Sequence, residues 1–312
     1  MLHLPKRASH NIELRMILNP SASKAWVQEY NSPQVSVALK WMDLANPAIL
    51  GSGWSVAPVF SAPIAAGNRW RLFGELSAGL GYVTKPFDPK TNYKNIAVGS
   101  HLNAFVFLGS RFNYWITDRV ALCLSANFNH FSNAAYRLPN LGVNYPQVNA
   151  GIGYTPIPAS PRTDTAYQRL VRGAFELFLA IGLKESPAIR HSTLPAYSLK
   201  LARRFFISHK SSISVGIDAY QNTGLAQYVE GKRSFIENIQ SGPSVSYTLH
   251  IDRFEASIAQ GVYVIDRDGS EGIFFHWVNT RYFIGKSTAV SLGLKTHFFK
   301  AEHFELGVTY RI

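Results

Sequence analysis

Cysteine, charge and long apolar runs are what this sequence has least of. Its 312 residues include one cysteine, Cys123, which excludes an intramolecular disulfide framework and zinc-ribbon spacing. Charged residues make up 16% and aromatics 13%, too little charge for the water-facing surface of a soluble chain this long. No run approaches the roughly 18 apolar residues of a membrane-spanning helix, and the mean hydropathy of -0.03 is far too low for a helical membrane protein. Neither deficit excludes a membrane β-barrel, whose strands average to neutral hydropathy while their outer faces stay apolar. Acidic residues are scarce too, 19 against 31 Lys and Arg, for a formal net charge of +12. That balance implies anionic partners. The basic residues are scattered, without zinc-finger spacing, an RNA-recognition signature or a basic helix, so no nucleic-acid partner is expected. A phosphorylated lipid surface fits the charge. In MLHLPKRASHNIELRMILNP, Glu13 and Arg15 interrupt the candidate apolar segment, so no export signal is visible and a mature form or truncated start is expected.

What the sequence does contain is alternation. In FELGVTYRI, Phe304, Leu306, Val308, Tyr310 and Ile312 fall on one parity and Glu305, Gly307, Thr309 and Arg311 on the other, the period-2 pattern of a strand with one apolar face. Val171, Phe175, Leu177, Leu179 and Ile181 oppose Arg172 and Glu176, and Ile213, Val215 and Ile217 oppose Ser214 and Asp218. The polar faces carry Gly, Ser, Ala and isolated charges, which suits a crowded barrel interior better than a wetted sandwich face. Short turns at 116–119, 208–211, 250–253 and 284–287 interleave with longer loops at 85–95, 130–144, 184–192 and 221–238, as in outer-membrane barrels, where tight turns are periplasmic and longer loops extracellular. The pattern predicts an all-β antiparallel transmembrane barrel of about 14 strands, or 12 if one was split or a merge missed. The strands begin near residues 34, 53, 69, 98, 119, 145, 168, 193, 211, 242, 253, 272, 287 and 303. Residues 1–33 are expected to form an N-terminal periplasmic segment ahead of a barrel over 34–312. SASK (21–24) matches a Ser-x-x-Lys motif without its companion motifs. DRDGSEG (266–272) lacks the glutamate of a calcium loop and reads as an exposed turn.

One stretch carries candidate chemistry. In VALCLSANFNHFS the apolar parity of Val120, Leu122, Leu124, Ala126 and Phe128 continues into His130 and Ser132. In a barrel that parity faces lipid, a poor position for a histidine unless its substrate is a lipid. On the next strand, Val148, Ala150, Ile152 and Tyr154 share a parity with Asn144, so a tight connection returns Asn144 to the wall beside His130. A serine, a base and an orienting amide then meet on adjacent strands, which is the logic of a catalytic triad. Taken alone, a His-x-Ser pair followed by PNLG also passes for an ordinary turn.

The segment HFSNAAYRLPNLGVN resembles the signature of the lipid A 3-O-deacylase (PagL-type) family of outer-membrane barrels, in which His-x-Ser-Asn is followed by Pro-Asn-x-Gly. Residues 79–105 resemble the corresponding region of larger relatives, acyloxyacyl hydrolases. The resemblance implies a serine esterase that removes an ester-linked acyl chain from lipid A or lipopolysaccharide in the outer leaflet of a bacterial outer membrane. It implies Ser132 as nucleophile and His130 as general base, with Asn133 or Asn140 and nearby backbone amides forming the oxyanion hole. No metal or cofactor is required by that scheme. Two positions depart from the family pattern: Asn144 stands where the deacylase has a glutamate, and Ala135 where it usually has a glycine. Arg137 and Lys85, with Lys90 and Lys94, are candidates for meeting lipid phosphates, or are solvated loop charges. Outer-membrane phospholipase A also has His-x-Ser-Asn and a triad asparagine at this spacing, but its Ser-Arg-Ser-Trp-Asn-Arg segment is absent. The remaining alternative is a non-catalytic barrel, a pore or adhesin, with Arg71, Glu75, Arg172, Glu176 and Asp218 lining a passage.

Overall fold

The structure, a computed structural model, describes residues 6–18, 20, 21, 24–155, 174–186, 192–222, 238–266, 272–298 and 300–312. It is almost wholly β. The strands are β1 (Asn11–Leu18), β2 (Gln34–Asp43), β3 (Ser52–Ala66), β4 (Trp70–Val83), β5 (Leu102–Trp115), β6 (Val120–Ser132), β7 (Val143–Tyr154), β8 (Ala174–Ser186), β9 (Ser192–Phe206), β10 (Ser211–Asn222), β11 (Ile239–Ile251), β12 (Phe254–Val262), β13 (Phe274–Phe283), β14 (Thr288–His297) and β15 (Lys300–Arg311), with one short helix, α1 (Ala25–Glu29). Among the described residues no helix is long and apolar enough to cross a membrane. The chain divides into two compact units, residues 1–133 with 139–167 and residues 134–138 with 168–312.

The first unit is a seven-stranded antiparallel meander, β1 to β7 in sequence order. Its polarity is inside out. Leu108, Phe128, Val148 and Ile152 are exposed, Val148 by 74%, whereas Lys40, Glu75, Arg111 and Asn129 are buried, Lys40 to 1%. Buried charge is tolerable only when paired, and here it is. Glu75 accepts from Arg15, Arg111 and Ser61, and Lys40 bridges Glu13 and Asn129. Toward one end these charges give way to an apolar cluster that includes Met42, Leu44, Phe105, Phe107, Phe131 and Val143. Tight turns at 67–70 and 116–120 close one end of the meander. The longer connections 44–51, 84–101 and 133–142 lie at the other.

The second unit is a closed eight-stranded barrel in which β15 completes the circle by pairing with β8, Leu306 opposite Ile181. The wall again alternates, with Leu179, Ile217, Ile258 and Leu306 exposed. Inside, Arg204, Arg281 and Arg311 converge on Glu176 and Glu255, and Lys200 pairs with Asp218. A lumen crossed by such ion pairs is plugged rather than lined. An eight-stranded cylinder is about narrow enough for side chains to fill.

Among the described residues fifteen strands are present where about fourteen are expected, and β8 takes β9 and β15 as its partners. β1 lies within residues 1–33, the segment expected to precede the barrel. Its Ile12, Leu14 and Met16 are exposed, while Glu13 and Arg15 turn inward to Lys40 and Glu75. The charges that break a helical apolar segment are the inward parity of a barrel strand. Asn11 pairs with Met42, and the backbone N–H of Lys6 donates to Ala45 O, so residues 6–11 lie at the end of the first unit that carries its longer connections. Residues 156–173, 187–191, 223–237 and 267–271 lie outside the described residues, and with them Arg172, the strand start at 168, most of the 221–238 loop and most of DRDGSEG; residues 22 and 23 of SASK do too.

Candidate active site

The candidate site is built where β6 ends and β7 begins, at the long-loop end of the first unit. Phe131 anchors it. Its ring is fully buried against Phe105, 5.0 Å between centroids, in a slot left by Gly53 and Gly81. A Cβ on Gly81 would lie 2.6 Å from the Phe131 ring. With Phe131 held inward, strand alternation turns its neighbours His130 and Ser132 to the outward parity of Leu124 and Phe128.

His130 faces Asn144 directly across the β6–β7 ladder, and Nδ1 lies 2.7 Å from Asn144 Oδ1. An amide oxygen only accepts, so this contact makes Nδ1 the protonated nitrogen and leaves Nε2 as the basic one. Asn144 is exposed, His130 half-buried and Ser132 7% exposed. Asn140 joins the strand end to the loop after it: its Nδ2 donates to Ser132 Oγ at 3.2 Å and its Oδ1 accepts from the backbone N–H of Asn133 at 2.9 Å. Asn133 Nδ2 in turn donates to Ser100 Oγ at 2.8 Å.

Ala134 and Ala135 have φ of +49° and +59°. The left-handed backbone that favours glycine is therefore present at Ala135. Residues 134–138 group with the second unit, where Ala135 O accepts from the N–H of Glu185 and Arg137 lies 3.7 Å from the Glu185 carboxylate. Lys85 Nζ donates to Pro47 O at 2.8 Å, tying two loops together. Lys90 and Lys94 are exposed on the loop whose Asp88 accepts from the N–H groups of Lys90 and Thr91.

Sequence reasoning passed over Gly142, which it read as a turn residue. Its φ is +75°, and a Cβ there would stand 2.5 Å from His130 Cε1 and 3.3 Å from Nε2. The chain thus passes against the edge of the imidazole that carries the basic nitrogen, which only a residue without a side chain permits. The Pro-Asn-x-Gly spacing is the signal that could have found it. Ser100 and Asn95 carry no local signal at all. Among the described residues, no three His, Cys, Asp or Glu side chains are placed to hold a metal ion.

Apolar faces turned outward over charged, paired interiors define a membrane β-barrel protein, and a histidine, serine and amide set on its outer parity have the composition of an esterase site. Residues 10–153 match the family model of lipid A 3-O-deacylase (PagL), and residues 173–312 match that of the acyloxyacyl hydrolase C-terminal domain. Between them the two matches take in most of the chain, which belongs to this family of ester hydrolases. It is an outer-membrane lipid A deacylase. No curated protein matches the sequence. Among solved structures the chain is similar to a de novo designed transmembrane β-barrel, at 10% identity over 46% of this chain and 100% of that one, with a TM-score of 0.28. It is similar to the KdgM porin in complex with disordered oligogalacturonate, at 8% identity over 97% and 95% of the two chains and a TM-score of 0.20. A Rhodopseudomonas blastica porin triple mutant aligns at 7% identity over 97% and 91%, with a TM-score of 0.20.

Proposed function

We propose that the protein is a serine esterase of the bacterial outer membrane that uses Ser132, His130 and Asn144 to remove an ester-linked acyl chain from lipid A in the outer leaflet. The observation that carries this reading is the His130 Nδ1 to Asn144 Oδ1 contact of 2.7 Å on an apolar, outward-facing wall, two residues from a serine held by Asn140. Nε2 takes the Ser132 Oγ proton as Oγ attacks the ester carbonyl. The bond to the lipid hydroxyl then breaks, and Nε2 returns the proton to that oxygen. Water, activated by the same nitrogen, attacks the acyl-serine and releases the fatty acid. Asn140 Nδ2, already beside Oγ, is the donor best placed to meet the oxyanion, and losing one such donor costs roughly a hundredfold to a thousandfold in rate. The backbone N–H of Asn133 binds Asn140 Oδ1 and holds that amide in place, and Ala135 lies in the left-handed turn that follows. Asn144 fixes the imidazole tautomer but offers the imidazolium no charge. Arg137 and Lys85 are the side chains proposed to meet lipid A phosphates. Each already has a protein partner, Lys85 in Pro47 O and Arg137 in the Glu185 carboxylate.

Mass spectrometry of lipid A from cells producing the wild type or Ser132→Ala tests the reading. Loss of one acyl group only when the serine is present is the expected result, and an unchanged loss in Ser132→Ala overturns it. A neutral amide in place of the family's glutamate favours one second reading, a phospholipase A-like esterase. Calcium-dependent cleavage of phosphatidylethanolamine with lipid A untouched would establish that reading instead.

A further inference from the structure

The ladder between β6 and β7 ends at Phe131 opposite Val143, so Ser132, the last residue of β6, is paired on one side only, opposite Ala104 of β5. Strand ends fray unless something outside the ladder holds them, yet attack on an ester needs the reacting atoms aligned closely. The connection between β4 and β5 supplies the hold at two points. Ser100 Oγ accepts from Asn133 Nδ2, and the backbone N–H of Asn133 is bound by Asn140, which donates to Ser132 Oγ. Ser100 is itself fixed, its hydroxyl donating to Leu102 O at 2.8 Å and its carbonyl accepting from Asn103 Nδ2 at 2.9 Å. Three residues earlier, Ala97 O accepts from the N–H of Gly142 at 2.9 Å, and Gly142 lies against the basic edge of His130. The fully buried Asn95 shapes that part of the loop. Its Nδ2 donates to Lys85 O at 2.6 Å, and its Oδ1 accepts from the N–H groups of Ala97 and Val98.

We propose that Ser100 and Asn95 are positioning residues for the hydrolysis, Ser100 acting through Asn133 and Asn140 on the nucleophile and Asn95 acting through Ala97 and Gly142 on the base. The proposal rests on the catalytic reading above and extends it to a loop some thirty residues upstream of the His-x-Ser segment. Neither residue touches the reacting atoms. Each decides how steadily those atoms are held.

The test is steady-state deacylation of purified lipid A by the full-length barrel in detergent, with the folded fraction read from the gel shift between unheated and boiled samples. Ser100→Ala is expected to lower kcat by about tenfold to a hundredfold with KM changed by less than about twofold, because a small misplacement of reacting groups costs that much without loosening the bound lipid. Ser100→Thr keeps the hydroxyl at a half-buried position and is expected to restore the rate. The double variant Ser100→Ala with Asn133→Ala is expected to be no slower than Asn133→Ala alone, because both break one arm. Asn95→Ala is expected to lower kcat in the same way. A folded Ser100→Ala at the wild-type rate, an equal loss in Ser100→Thr, or additive losses in the double variant would overturn the proposal. If Ser132→Ala keeps its activity, the catalytic reading falls and this proposal with it. If Ser132→Ala is dead and Ser100→Ala unimpaired, only the proposal falls.

Discussion

His130 and Asn144 occupy directly opposed positions on β6 and β7, and the contact between Nδ1 and Oδ1 closes at 2.7 Å. A cross-strand pair of this kind is set by the register of the sheet, so the Asn144 amide reaches the imidazole without any loop having to fold over it. Asn144→Ala is expected to lower kcat by about tenfold to a thousandfold while the barrel folds normally, because the wrong tautomer then competes for the ring. Asn144→Asp, which adds the charge the imidazolium lacks, is expected to match or exceed the wild type. Steady-state rates on lipid A decide both.

Gly142→Ala asks whether the close passage beside the imidazole matters. The substitution meets two obstacles at once, a φ of +75° and a Cβ 2.5 Å from His130 Cε1. The backbone alone costs roughly 1–2 kcal/mol, and the clash displaces the ring from the serine. The expected outcome is a modest loss of thermal stability with a much larger loss of kcat. A stability loss with kcat intact would show that the ring has room to shift.

Ala135 and Ala57 form a matched pair for testing strain. Both are buried, but only Ala135 has positive φ. Ala57→Gly removes a methyl worth about 0.8 kcal/mol and adds roughly 0.5–1 kcal/mol of backbone entropy. In Ala135→Gly the same losses are offset by relief of left-handed strain of about 1–2 kcal/mol. The midpoint of the heat-modifiable gel shift is expected to fall for Ala57→Gly and to stay near wild type for Ala135→Gly.

In the second unit Glu255 accepts from Arg204, Arg281, Arg311 and His250. Glu255→Gln leaves three guanidinium groups with Glu176 as their shared carboxylate. A destabilisation of about 3–5 kcal/mol is expected, read as a lower urea midpoint for refolded barrels. A neutral result would mean that water reaches this lumen freely.

The loop carrying Lys90 and Lys94 has its own pH signature. The Asp88 carboxylate is held below its ordinary range, chiefly by the N–H of Thr91, then by that of Lys90 and the Thr91 hydroxyl. A depressed carboxylate stabilises its turn at pH above its unfolded value of about 4 and loses that contribution as pH falls through the lower folded value. Protection of the Thr91 amide from hydrogen exchange, referred to the intrinsic rate, is therefore expected to be flat at neutral and mildly acidic pH and to drop only in strong acid. A drop near pH 6 would contradict the assignment.

Strand positions were readable because a barrel strand needs only a local pattern, apolar outward and small or polar inward. The starts expected near 119 and 211 correspond to Val120 and Ser211. β1 is not readable this way because Glu13 and Arg15 interrupt its apolar run locally, while their partners Lys40 and Glu75 lie in other strands. Parity put His130, Ser132 and Asn144 on one face, whereas Ser100, Asn95 and Gly142 came to light only through contacts made after folding.

The sequence by itself determined the class of the protein and the parity of each strand, because alternation and the scarcity of charge act residue by residue. Only the tertiary structure decided that the ladder breaks between β7 and β8, that β15 closes on β8, and that a distant loop braces the strand end bearing Ser132. Outward-facing alternation satisfies a cylinder of any strand number equally well. Closure and bracing depend on which backbone donors and acceptors meet across large separations in the chain, and no local pattern encodes that.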